Sequence, residues 1–226
     1  MPKKAISKKV YIAIFLLVLI VGIAAYAAIV YTTQASKSVG VNVGDTFTYK
    51  LMGYSVLFSS DAVTPAYLSQ YNNTDYYQVT ITGIKGSVVS FDTVWQFTNG
   101  TAVQNSEWVN LAYGNSSGDF WAIYPSNINA KNMLYPKEAN TGLVVNSTGS
   151  QPYSSDTRQT NYWSIENVFT DANDPTGNTV QDVLTSLYFD KQTGMLVDLT
   201  NIQYYNNPQY NIITTWQLTN STVWNV

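Results

Sequence analysis

The sequence predicts a mainly β protein: one N-terminal transmembrane helix, then an antiparallel sheet, sandwich or curved sheet with minor helix. Three observations carry that expectation. Val10 to Tyr31 run for twenty-two residues without a charge. From Thr46 onward, short runs alternate apolar and polar residues with the period of two that marks a half-buried strand. Gly, Asn and Asp separate those runs, most clearly at Asn99-Gly100, a dipeptide that favours hairpin turns.

The apolar run governs placement. As a helix it covers roughly 33 Å, which matches the ~30 Å hydrocarbon core of a bilayer. Lys3, Lys4, Lys8 and Lys9 precede it and only Lys37 closely follows. The positive-inside bias therefore predicts a cytoplasmic segment 1–9, a membrane helix or signal anchor 10–31, a stalk 32–38 and an extracellular β-rich domain 39–226. Ala25-Tyr26-Ala27 also fits a small-x-small cleavage site, and cleavage there makes the domain secreted instead of anchored. Both readings put residues 39–226 outside the cell.

The domain opens with Gly44-Asp45 as a turn and a strand on which Phe47, Tyr49 and Leu51 share the buried face. Thr64-Pro65 suits the start of a short helix through Tyr71. A three-strand meander follows: Tyr77, Val79 and Ile81 on one strand, Val89, Phe91, Thr93, Trp95 and Phe97 on the next, and a third from Val103 to Leu111. The stretch Tyr113 to Ser154 is irregular, with a short helix expected near Asn129 to Leu134 and a brief strand at Leu143-Val144-Val145. Tyr162, Ile165 and Val168 fit a strand or a helix equally well. Val183 to Phe189 and Met195 to Leu199 form a hairpin about Asp190–Gly194, and a last strand runs from Ile212 to Leu218.

Composition removes several chemistries. Four of the eleven basic residues precede the span, which leaves seven against all fourteen acidic ones, a net charge of −7 for residues 33–226. Nucleic-acid binding needs a basic stripe and is not expected. The chain has no cysteine and no histidine. That excludes disulfide staples, Ser-His-Asp and Cys-His nucleophilic sites, and imidazole or thiolate metal sites.

Val41 to Tyr49 (valine, Gly-Asp, then aromatic-x-Tyr) and Tyr188-Phe189-Asp190-Lys191-Gln192-Thr193-Gly194-Met195-Leu196 together resemble motifs of archaeal exported, single-pass membrane-anchored surface proteins of unknown function. The resemblance covers the ends of the domain better than its middle and implies location, not chemistry. A more distant likeness in strand pattern, to lipoprotein-carrier domains in which a curved sheet holds lipid, is a fold analogy.

Three sets of residues are candidates for chemistry. Asp171, Asn173, Asp174 and Asp182 place oxygen ligands in and after a turn, as calcium prefers, although proline at the fifth position and glycine at the seventh depart from a calcium loop. Asn72, Asn99, Asn115, Asn146 and Asn220 stand in Asn-x-Ser/Thr sequons and are candidate glycan sites on an exported glycoprotein. Glu107, Glu138 and Glu166, the only glutamates, are the acids a carboxylate-dependent hydrolase would draw on. Six tryptophans and eighteen tyrosines suit sugar stacking and protein interfaces as well as cores. Tyr76-Tyr77 and Tyr204-Tyr205 are where one ring of each pair should be exposed.

The expectation is a non-catalytic cell-surface protein: a structural envelope or filament subunit that binds or assembles, with the bilayer, envelope proteins or further copies as partners and no cofactor. The alternatives are a glycan- or lipid-binding module with a curved-sheet cavity, and a carboxylate-dependent hydrolase.

Overall fold

The computed structural model describes residues 21–23, 39–118, 122–135, 143–153, 157–170 and 180–226. Of the apolar span only Val21–Ile23 fall in this set, and they are helical; the rest of 10–31 lies outside the described residues. Among the described residues no helix is long and apolar enough to cross a membrane.

The domain is one nine-stranded antiparallel sheet, not a sandwich. Its strands are β1 (Thr46–Leu57), β2 (Thr74–Lys85), β3 (Val88–Phe97), β4 (Ala102–Asn110), β5 (Ser147–Pro152), β6 (Thr157–Thr170), β7 (Val180–Asp190), β8 (Leu196–Asn206) and β9 (Gln209–Ser221). The helix α1 (Leu68–Asn72) lies between β1 and β2. Strand order is β4-β3-β2-β1-β9-β8-β7-β6-β5, so two meanders are joined where the first strand pairs with the last. The β1–β9 ladder runs from Phe47 opposite Ser221 to Leu57 opposite Tyr210.

The period-two pattern sets which face is dry. Phe47, Tyr49 and Leu51 point to the same side as Val79 and Tyr77, which they face across the ladder, and all five are buried. Val89, Phe91 and Thr93 extend this inner face along β3, and Leu187, Phe189 and Trp163 extend it along β7 and β6. A row of rings crosses four strands, with Trp95 6.2 Å from Tyr77, Tyr77 4.8 Å from Trp216, and Trp216 6.2 Å from Tyr49.

A sheet with one apolar face needs a cover, and the irregular connection from β4 to β5 supplies it. Leu111, Ala122, Ile123, Tyr124, Leu134 and Val145 all join the core. The connection is stitched to the β7–β8 turn by Tyr124 N to Gly194 O (2.8 Å), Leu196 N to Ala122 O (2.8 Å) and Asn127 N to Lys191 O (2.6 Å). Tyr124 stacks on Phe189 at 4.8 Å.

The β7–β8 turn is built around Asp190. Its carboxylate accepts Arg158 Nε at 2.8 Å and Nη2 at 3.0 Å, together with the Thr193 backbone N–H at 2.7 Å and hydroxyl at 2.8 Å. Arg158 also lies 4.4 Å over the Trp224 ring. Gly194 is required here twice: its φ is +78°, and a Cβ would run into the Tyr124 carbonyl oxygen.

Several expectations need correction. The stretch 129–134 is not helical, because Asn127 (φ 56°) and Lys131 (φ 70°) take left-handed backbone and Asn129–Asn132 closes a turn. Leu143–Val145 contributes a single bridge, Val144 to Met133, and the edge strand β5 begins only at Ser147. Helix α1 starts at Leu68 without a side-chain cap, since Thr64 Oγ1 instead shares a 2.6 Å hydrogen bond with Ser55. Tyr162, Ile165 and Val168 lie on a strand. Neither tyrosine pair presents a fully exposed ring: Tyr77 is buried, and Tyr76, Tyr204 and Tyr205 are half-buried. Among the described residues, the exposed tyrosines are Tyr54, Tyr67, Tyr113 and Tyr188.

Candidate binding cleft

Among the described residues, the cover does not reach the whole inner face. Across β6, β7, β8, β9 and β1, the ladder registers align Trp163, Leu187, Leu199, Trp216 and Leu51 in one row. The next row towards the β8–β9 turn is Ile165, Thr185, Asn201, Thr214 and Gly53, and there the inward side chains turn polar. Where the apolar cover stops, a cleft of about 290 Å³ opens.

Its floor is Thr185, Asn201, Gln203 and Thr214, and its walls are Tyr67, Tyr71, Trp216, Leu199, Leu196 and Ala122. Gly53 brings the wall from α1 close. A Cβ there would come 2.9 Å from Leu68 Cδ2 and 3.1 Å from Tyr71 Cβ, so a larger residue would push the helix outward by a few tenths of an ångström. Asn72 locks the contact with two hydrogen bonds to Gly53, accepting its N–H at 3.1 Å and donating Nδ2 to its carbonyl at 2.7 Å.

The floor is pre-ordered. Asn201 Nδ2 donates to Thr185 Oγ1 at 2.8 Å, Gln203 Nε2 donates to Asn201 Oδ1 at 3.2 Å, and the Tyr205 hydroxyl donates to Gln203 Oε1 at 3.1 Å. This ladder fixes which edge of each amide faces which neighbour. Tyr205 in turn stacks on Tyr210 with centroids 4.5 Å apart and planes 4° off parallel. Among the described residues, none that lines the cleft carries a charge. Burial pushes the Tyr71 hydroxyl above its ordinary pKa, and burial followed by neighbouring Tyr71 and Tyr210 does the same for Tyr67. Both phenols are therefore neutral donors at any ordinary pH.

No protein-family model matches the chain, and no curated protein resembles it in sequence. The cleft must be read from its own chemistry. It combines aromatic walls with fixed amide and hydroxyl groups, and its lining among the described residues includes no carboxylate, lysine or arginine.

The residues singled out from the sequence are dispersed. Asp171, Asn173 and Asp174 lie outside the described residues; Asp182 is on β7 opposite Tyr204, with one carboxylate oxygen buried and no hydrogen-bond partner among the described residues. No group of three or more metal-binding acids occurs among the described residues. Glu138 lies outside that set. Glu107 on β4 and Glu166 on β6 have six strands between them and point to opposite faces, so they do not converge. All five sequon asparagines belong to exposed residues. They differ in engagement: Asn72 is tied to Gly53, whereas Asn99 at the β3–β4 hairpin accepts the Thr101 N–H at 2.9 Å and hydroxyl at 2.7 Å through its oxygen.

Sequence reasoning missed the floor. The available signal was Leu199-x-Asn201-x-Gln203-x-Tyr205, a strand whose inward positions change from apolar to amide midway. What it could not supply was the register that sets Thr185 and Thr214 on either side of Asn201.

Proposed function

We propose that the protein is a cell-surface binding protein, anchored by an N-terminal membrane helix, whose external domain holds a small uncharged ligand in the inner-face cleft without transforming it. The observation that carries this reading is the pairing of Tyr67, Tyr71 and Trp216 with the ordered Thr185–Asn201–Gln203 ladder in one concave, charge-free site. Its volume of about 290 Å³ is close to the lower bound of ~300 Å³ for small-molecule sites. Rings supply apolar contact area, and pre-oriented amides supply specificity at little entropic cost.

The test uses the full chain in a zwitterionic detergent without a sugar headgroup. Hexopyranosides, neutral tetrapeptides and a medium-chain monoacylglycerol are titrated while intrinsic fluorescence and ligand-observed NMR are followed. At least one probe should bind and be weakened by Tyr67→Ala and Gln203→Ala. A panel without a binder, or binding indifferent to both substitutions, overturns the reading.

A second reading, assembly into an envelope or filament, draws support from the sheet edges. Along Ala102–Glu107 the outer edge of β4 has no strand partner among the described residues, whereas its last residues are covered by the fold-back of Ser116 and Ser117. The opposite edge is β5, whose outer side has no strand partner among the described residues, so the two edges face away from each other, as head-to-tail strand addition requires. Ordered polymers in electron micrographs of purified protein support this reading. A monomer by light scattering at all concentrations removes it.

A further inference from the structure

Resting on the cleft reading, we infer that the ligand class is a neutral pyranose saccharide. A pyranose ring has an apolar C–H face and a rim of hydroxyls, each able to donate and accept. The cleft offers the complement of both: rings from Tyr67, Tyr71 and Trp216, and a line of side chains that each donate and accept. Asn201 commits one N–H to Thr185 and one oxygen lone pair to Gln203. That leaves its second N–H and second lone pair for vicinal hydroxyls, a pairing that distinguishes a diol from a single alcohol.

The competing ligand classes fit this lining less well. An acyl chain laid over Thr185, Asn201, Gln203 and Thr214 would strip four polar side chains of water and return no hydrogen bond, which is costly. An anionic headgroup would need a cation. Among the described residues, Arg158 and Lys191 line a different cavity beside the β7–β8 turn, where Arg158 is bound to Asp190 and Lys191 to Gln159. The cleft also lies along β1 away from residue 39, where the domain begins: Gly53 is seven residues beyond Thr46, a rise of roughly 23 Å.

The experiment is a neutral and acidic oligosaccharide array probed with the full chain in the same sugar-free detergent, followed by titration calorimetry of the best binders as methyl glycosides. Neutral saccharides should bind, and their uronic-acid counterparts should bind at least about tenfold more weakly for want of a counter-charge. Asn201→Leu and Gln203→Leu should each weaken binding about tenfold or more. Tyr67→Ala, at an exposed ring outside the core, should do the same without altering the melting temperature and so separates loss of binding from loss of fold. If no saccharide binds while the monoacylglycerol or a tetrapeptide binds and responds to Tyr67→Ala, the saccharide assignment is wrong and the cleft remains a binding site. If no probe binds, both fall.

Discussion

The Tyr49 hydroxyl donates a 3.0 Å hydrogen bond to the Leu196 carbonyl, and both residues are buried. The bond joins the start of β1 to the start of β8, across 147 residues of sequence. It also joins the stretches Val41–Tyr49 and Tyr188–Leu196, which meet in the core, where Leu196 contributes to the cleft wall as well. Tyr49→Phe removes the donor and leaves a buried carbonyl unsatisfied, at a cost of about 1–2 kcal/mol. For a domain of this size the melting temperature should fall by roughly 3–7 °C. Tyr188→Phe, at an exposed ring, is the control and should change nothing measurable by calorimetry.

The Asp190 turn should be the most sensitive point of the same region. The Asp190 side chain is 1% exposed and that of Arg158 12%. Asp190→Ala strands the guanidinium and frees the Thr193 N–H, a loss of about 3–5 kcal/mol. The double variant Arg158→Met, Asp190→Leu should lose less than the single Asp190→Ala, because no unpaired charge remains. Chemical denaturation of the three proteins checks the order. Gly194→Ala should fail outright, since the left-handed backbone and the Tyr124 carbonyl both oppose a Cβ.

Stability should carry a signature of Asp198. Burial raises its carboxyl above the ordinary value, so the folded protein holds that proton more tightly than the unfolded chain does. The sign follows: this group favours folding below the raised pKa, and that contribution is lost as pH rises through it. Asp198→Asn should therefore melt higher than the parent at pH ~7, and the gap should close as pH falls below the ordinary aspartate value of ~3.9. A gap that widens on acidification would show that the carboxylate is stabilised by the fold.

Ligand affinity should be flat with pH. Among the described residues, the titratable groups lining the cleft are Tyr67 and Tyr71, both raised above the usual tyrosine range. Affinity between pH ~5 and ~9 should hold within about twofold. A bell-shaped profile in calorimetric titrations would place an unrecognised acid or base at the site.

Sequon use should be uneven in a host that glycosylates exported asparagines. Asn99 sits on an exposed hairpin with its oxygen held by Thr101 and its nitrogen turned elsewhere, and should be occupied. Asn72 should be empty or poorly occupied, because its nitrogen donates to the Gly53 carbonyl and Thr74 Oγ1 accepts Trp95 Nε1 at 2.7 Å. Glycopeptide mass spectrometry decides this site by site. Asn72→Gln should destabilise the α1–β1 contact, whereas Asn99→Gln should leave it intact.

Much of this protein was written locally. Period-two alternation named the inner faces of β1, β2, β3 and the β7–β8 hairpin, because a strand with one dry side must alternate whatever else surrounds it. The absence of cysteine and histidine settled which chemistries were closed before any fold was known. Tertiary structure alone decided the rest. β1 pairs with β9 from opposite ends of the domain, and an irregular connection with little periodicity of its own becomes the cover of the core. The cleft opens where the described part of that cover gives way to the row of Asn201, so its position depends on strand register and on a segment distant in sequence. Those are long-range quantities that composition and spacing within any one strand do not encode.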